Sequence, residues 1–157
     1  MRECERDQRI TILAFEGPDK SGKSTLIKEV NRAANYRFLC IDRFTGSAWV
    51  YDKLTGRRDR TSSLVDAEEE LSHMGNVVVL NVLLKGDPDI LRGRIQSEDE
   101  HGGLRLQQLD SAILLYEEYA ERVSRLPTIE VDTSNKTIEE TVQEILSKIE
   151  KYEQGHS

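Results

Sequence analysis

Four stretches of the chain are almost continuously apolar: Ile10–Glu16 (ITILAFE), residues 36–41 (YRFLCI), residues 76–84 (NVVVLNVLL) and the shorter Thr128–Asp132 (TIEVD). The first three lack the strict alternation of a half-solvated strand. Continuous runs of this length suit parallel strands covered on both faces. Between them the apolar residues recur at helical spacing. Residues 23–34 carry Leu26, Ile27 and Val30 on one face. Residues 61–73 open on a cap at Thr61 or Ser62 and continue through Leu64, Val65, Ala67 and Leu71. Residues 89–97 follow Pro88, a residue suited to a helix start. Residues 104–123 form a long pattern with Leu106, Leu109, Ile113, Leu114, Tyr116 and Ala120. The last pattern, 137–152, starts on TIEE, a capping box. Strands alternating with helices predict one α/β domain over residues 1–157, with a parallel sheet and right-handed crossovers. Residues 45–60 show the least regularity, and the polar stretch 96–103 (QSEDEHGG) reads as an interruption between two helices.

Composition narrows the function. The chain has 157 residues, enough for a single core. Its 22 Lys and Arg against 29 Asp and Glu leave a net charge of −7, which disfavours general nucleic-acid binding and favours small charged substrates. Cys4 and Cys40 lack metal-ligand spacing and read as free thiols in a reducing compartment. The charged N-terminus MRECERDQR has no signal-peptide core, and no run approaches the ~20 apolar residues of a membrane span. The expected location is therefore the cytoplasm.

The candidate chemistry begins where the first apolar run stops. Gly17-Pro18-Asp19-Lys20-Ser21-Gly22-Lys23-Ser24 fits G-x-x-x-x-G-K-[ST], and Thr25 follows it into a helical pattern. Glycines let successive N–H groups turn inward toward phosphate oxygens, and the helix start adds its positive dipole end. Lys23 would reach the outer phosphates of ATP, and the Ser24 hydroxyl would hold Mg²⁺. Asp42 ends the second apolar run, where a parallel sheet places its ligands. It is expected to act on the Mg²⁺ shell or to orient an acceptor.

The stretches FEGPDKSGKST and DRFTGSAWVY resemble the F-E-G-x-D-x-x-G-K-S-T and D-R-Y-x-x-S-x-x-A-Y motifs of thymidylate kinases. NVLLKGDPDILRGRI and IEVDTSNKTIEETVQEI look like that family's strand-to-lid turn and its last strand, adenine-side loop and closing helix. The resemblance implies a P-loop kinase-type three-layer sandwich, with a small parallel sheet covered by helices on both faces. It implies a phosphate loop at 17–25 and a short lid over 92–105. Arg43 would grip the acceptor phosphate and the group in flight, with Ser47 and Tyr51 beside the acceptor. Lys20 stands where some members carry a catalytic Arg. Arg92 and Arg94 resemble lid arginines, a role Arg105 would serve equally. Ser134, Asn135 and Lys136 correspond to the adenine-side loop. The family's long base-reading segment between the first helix and the D-R-Y strand has no room here, so the sheet should lose its outer strand.

The expected activity is ATP- and Mg²⁺-dependent phosphoryl transfer to a deoxynucleoside monophosphate, with thymidylate as the default acceptor. The alternatives are a kinase of the same fold acting on a nucleoside or on a DNA base or end, and a nucleotide-binding protein without turnover. Trp49 suits either packing or the acceptor site, and Asp52 departs from the family's Gln or Thr. Arg57, Arg58 and Arg60 read as a solvated loop balanced by Asp52, Asp59 and Asp66, the alternative being an acceptor-phosphate or DNA-end contact. The helix at 61–73 is the candidate surface for a homodimer, with covering the sheet as its other use.

Overall fold

The computed structural model describes residues 9–18, 22–98 and 102–155, without the side chains of 94–98 and 102–106. All four apolar runs become strands: β1 (Ile10–Glu16), β2 (Leu39–Asp42), β3 (Val77–Lys85) and β4 (Thr128–Asp132). They pair in parallel in the order β2-β1-β3-β4. Between them run α1 (Lys23–Ala33), α2 (Thr45–Thr55), α3 (Thr61–Ser72), α4 (Pro88–Glu98), α5 (Gly102–Glu118) and α6 (Ile138–Gly155). A π-helical turn, Tyr119–Val123, closes α5.

Period-two side-chain placement divides β3 between two cores. Leu80, Val82 and Leu84 pack with Leu13, Phe15 and the buried faces of α1 and α6. Leu83 joins Trp49, Val50, Ala112, Tyr116 and Tyr119 on the opposite face, against α2 and α5. α4 leans on α5 through Leu91, Leu109 and Ile113. Each fully buried aliphatic side chain contributes about 1.5–3 kcal/mol, so these two faces hold the sheet between its helical layers.

Three expectations are corrected. Neither Thr61 nor Ser62 caps α3, whose N-terminal boundary is Arg60 without a side-chain cap. The second strand starts at Leu39 rather than at residue 36, because the chain leaves α1 through a left-handed turn at Asn35 (φ 52°) and Tyr36 (φ 58°). The Asn35 and Tyr36 N–H groups return to the carbonyls of Arg32 and Asn31, closing the helix end. The stretch 45–60 is not irregular: its first eleven residues are α2. Thr, Gly, Ser and Trp are modest helix formers, but burial of Ser47, Trp49 and Val50 overrides propensity. Gly56 (φ 67°) then ends the helix, with the Arg57 N–H donating to the Asp52 carbonyl.

The capping box at α6 is present in both directions. The Glu140 N–H donates to Thr137 Oγ1 at 3.0 Å, and the Thr137 N–H donates to Glu140 Oε1 at 3.1 Å. Cys40 is partly buried on the edge strand β2. Burial lifts its thiol to about 11. Among the described residues no helix is long and apolar enough to cross a membrane.

Candidate active site

The C-terminal ends of all four strands open on one side of the sheet, and the candidate residues gather there. β1 delivers Glu16, Gly17 and Pro18, all buried. Asp19, Lys20 and Ser21 lie outside the described residues. Gly22 starts α1 in the left-handed region (φ 85°), and no side chain caps that helix end. Lys23 is buried, its ammonium donating to the carbonyls of Gly17 (3.0 Å) and Pro18 (3.2 Å). Ser24 and Thr25 are exposed in the first turn, which carries no acidic side chain. A left-handed glycine, an uncapped helix start and a converging lysine together fit a phosphate group.

β2 brings the second set. Asp42 lies in register with Phe15 and is exposed. Arg43 follows with φ 71°, its N–H donating to the Phe15 carbonyl at 3.0 Å. The Arg43 guanidinium carbon stands 5.3 Å from the centre of the Tyr51 ring, and Ser47 Oγ lies 2.9 Å from the Tyr116 hydroxyl. Arg43, Ser47 and Tyr51 are thus brought together along the start of α2.

Beneath them lies Glu16, whose Oε1 accepts the Phe44 N–H. Burial lifts its carboxyl to about 7, against the pull of hydrogen bonds from Phe44 and Ser47 and of the Lys23 charge. Tyr116 is pushed up as well, chiefly by burial.

The other half of the strand ends frames a cleft of about 410 Å³, lined by Pro18, Leu83, Leu84, Lys85, Gly86, Asp87, Pro88, Ile113, Tyr116, Glu117, Asp132, Ser134 and Asn135. Ser134 Oγ accepts the Asp87 N–H at 2.6 Å, and Asp132 accepts the Ser134 N–H at 2.8 Å, so the two rims are tied together. Lys136 does not line the cleft. Its ammonium binds Glu144 at 2.7 Å. Tyr116 belongs to both halves, its ring in the cleft wall and its hydroxyl on Ser47.

Arg92 joins α4 to α5 through Asp110 at 3.0 and 3.2 Å, and also contacts Asp89. The Arg94 and Arg105 side chains lie outside the described residues. Arg60 forms a two-pronged bond to Asp52 (2.8 and 2.9 Å), holding that carboxyl below the usual carboxylate range. Trp49 is buried against Tyr119 and donates to Thr61 Oγ1, which matches its packing reading.

Sequence reasoning passed over three residues at the site. Glu16 stood within the F-E-G motif without a role. Tyr116 appeared only as one apolar position of a helix. Glu68, fully buried, accepts from Thr45, Tyr119, Ser124 and the Arg125 N–H. Its signal was the helical spacing Leu64, Glu68, Leu71, which puts a carboxylate on the apolar face.

No protein-family model and no curated protein matches the sequence. Solved structures do. YorR from Bacillus subtilis, crystallised in complex with phosphorylated GDP, is similar with a TM-score of 0.69 at 21% identity, over 91% of this chain and 98% of that one. Deoxyadenosine kinase from M. mycoides, with the products dCMP and dCDP bound, is similar at 0.54 and 13%, over 90% and 99%. A gluconokinase from Sinorhizobium meliloti 1021 is similar at 0.53 and 22%, over 94% and 95%. The chain therefore has the three-layer α/β fold of P-loop kinases.

Proposed function

We propose that this chain is an ATP- and Mg²⁺-dependent nucleotide kinase, with thymidylate as its acceptor. The supporting observation is the placement of two half-sites on either side of the buried Lys23. One is the cleft at the ends of β3 and β4, suited to the base and sugar of ATP. The other is the Arg43, Ser47 and Tyr51 face of α2. Gly17, Pro18, Gly22 and Lys23, with Asp19, Lys20, Ser21, Ser24 and Thr25, would hold the ATP phosphates between them. The nucleotides bound to YorR and to deoxyadenosine kinase accord with this reading.

In the reaction the bond from the terminal phosphorus to the bridging oxygen breaks, ADP leaves with the electron pair, and an acceptor oxygen takes its place. Such transfer depends on positioning and charge neutralisation rather than covalent chemistry. Arg43 orients the acceptor phosphate, and Lys23 neutralises the group in flight. Ser24 and Asp42 would hold Mg²⁺, whose positive charge would offset that of the phosphates. Two protein oxygens suffice for an ion that keeps waters and phosphates as its other ligands. Among the described residues no cluster of three or more His, Cys, Asp or Glu competes for it. Arg92 and Arg94 would close over ATP and exclude water.

One observation favours a second acceptor class. Residues 34–38 alone join α1 to the edge strand β2, leaving no base-reading segment over the acceptor side. A nucleoside or a DNA end needs no enclosed monophosphate pocket.

The test is product analysis with ATP, Mg²⁺ and a panel of the four deoxynucleoside monophosphates, their nucleosides and a short duplex. Thymidine diphosphate is the expected product. Lys23→Ala should abolish transfer, and Arg43→Ala should lower kcat by about 10²-fold or more with little change in ATP affinity. Wild-type turnover in either variant would overturn the assignment.

A further inference from the structure

We propose that Glu16 is a positioning residue for the acceptor side: its carboxylate, carried at the end of β1, holds the left-handed turn at Arg43 and the first turn of α2. Arg43, Ser47 and Tyr51 are then presented as one unit. This rests on the reading of Arg43 as the acceptor ligand.

Arginine at φ 71° is unfavourable, and such a residue persists only where its surroundings over-determine it. Here two successive residues of β1 do so. The Phe15 carbonyl accepts the Arg43 N–H, and the Glu16 carboxylate accepts the Phe44 N–H. Phe44 stands at the N-terminal boundary of α2, where no side chain of the helix itself supplies a cap. A carboxylate from β1 takes that place, at the helix end whose dipole favours an anion.

The approach is close enough to dictate a neighbour. A Cβ on Gly46 would lie 2.3 Å from Glu16 Oε2, so any larger residue there would push the carboxylate from its present position. Among the described residues, the buried Oε2 has no hydrogen-bond partner of its own. Ser47, one residue on, links this corner to Tyr116 and the cleft.

The charged and titratable groups facing Glu16 are Lys23 from α1, Tyr116 from α5 and Tyr119 from the π turn. With the carboxyl lifted to about 7, its charge changes across the neutral range. As pH rises through that value the carboxylate ionises and its hold on the Phe44 N–H strengthens.

Amide proton and nitrogen NMR of the wild-type protein, followed from pH 5 to 9, reads the contact without any turnover. The Phe44 amide proton should shift with a midpoint near 7, and the same resonance in Glu16→Gln should stay still. In steady-state kinetics, Glu16→Gln should lower kcat/KM for the acceptor by about tenfold, with KM for ATP within about twofold. The wild-type rise of acceptor kcat/KM through pH 7 should vanish in the variant. An acceptor kcat/KM that is unchanged in Glu16→Gln overturns the proposal, as does an equal loss toward both substrates. Titration of Phe44 with no acceptor phosphorylated would uphold the anchored turn and overturn the kinase reading instead.

Discussion

At the scale of single residues, the crowding around Glu16 makes Gly46 poorly tolerant of one added methyl group. A Cβ there meets Glu16 Oε2 at 2.3 Å, Glu16 Cδ at 3.1 Å and the Tyr119 ring at 3.3 Å. Overpacking of this kind costs about 1–3 kcal/mol, more than the roughly 0.5–1 kcal/mol that alanine gains over glycine within a helix. Gly46→Ala should therefore lower the melting temperature by several degrees, at about 2–4 °C per kcal/mol for a domain of this size. Gly93→Ala, with nothing among the described residues within 4 Å of its added Cβ, should leave it unchanged or slightly raised. Paired thermal melts decide the matter, and equal behaviour of the two variants would remove the steric argument. None of this was legible in the sequence. Lys23 and Arg43 announce themselves through motif spacing, whereas the need for glycine at position 46 exists only once α2 folds over the end of β1.

Between elements, the Glu68 carboxylate of α3 ties several segments together. It accepts from Thr45 (2.6 Å) at the start of α2, from Tyr119 (2.5 Å) in the π turn, and from Ser124 (2.9 Å) and the Arg125 N–H (2.7 Å) beyond it. One side chain thus fixes the end of α5 against the start of α2, the two elements that share the Tyr116–Ser47 contact. π-helical turns often mark functional positions, and here the turn carries Tyr119 onto Glu68. Glu68→Gln should cost about 1–3 kcal/mol, because an amide group then faces buried donors. Tyr119→Phe should cost about 1 kcal/mol. The double variant should lose less than the sum, since both changes act on the same Tyr119–Glu68 contact. Strict additivity in urea unfolding would mean that the network does not act as one. The elements themselves were legible to different degrees. The α6 capping box and the four apolar runs were read from pattern alone. α2 was not, because its start is poor in helix formers and only tertiary burial makes it helical. The strand order β2-β1-β3-β4 depends on which crossovers pack together, which periodicity does not encode.

For the molecule as a whole, two carboxylates pull stability in opposite directions as pH changes. Asp52 is held low by Arg60, so its contribution is present above the ordinary aspartate range and fades as pH falls through its lowered value. Glu16 is the reverse case. Its carboxyl titrates near 7 in the folded protein instead of at 4.5, so folding favours the protonated form. That contribution is complete below 4.5 and is lost as pH rises through 7. A shift of this size corresponds to a total decline of about 3 kcal/mol from below pH 4.5 to above pH 7. Denaturant unfolding at a series of pH values should show the decline in the wild type and a flatter line in Glu16→Gln. Parallel lines for the two proteins would mean that Glu16 does not titrate in this range. The direction also sets stability against function. If ionised Glu16 anchors the Arg43 turn, acceptor capture improves over the same pH interval in which the fold weakens. Such opposition is common where a buried charge serves a site rather than the core. A variant that is more stable at pH 8 yet poorer toward its acceptor would carry both halves of that exchange in one side chain.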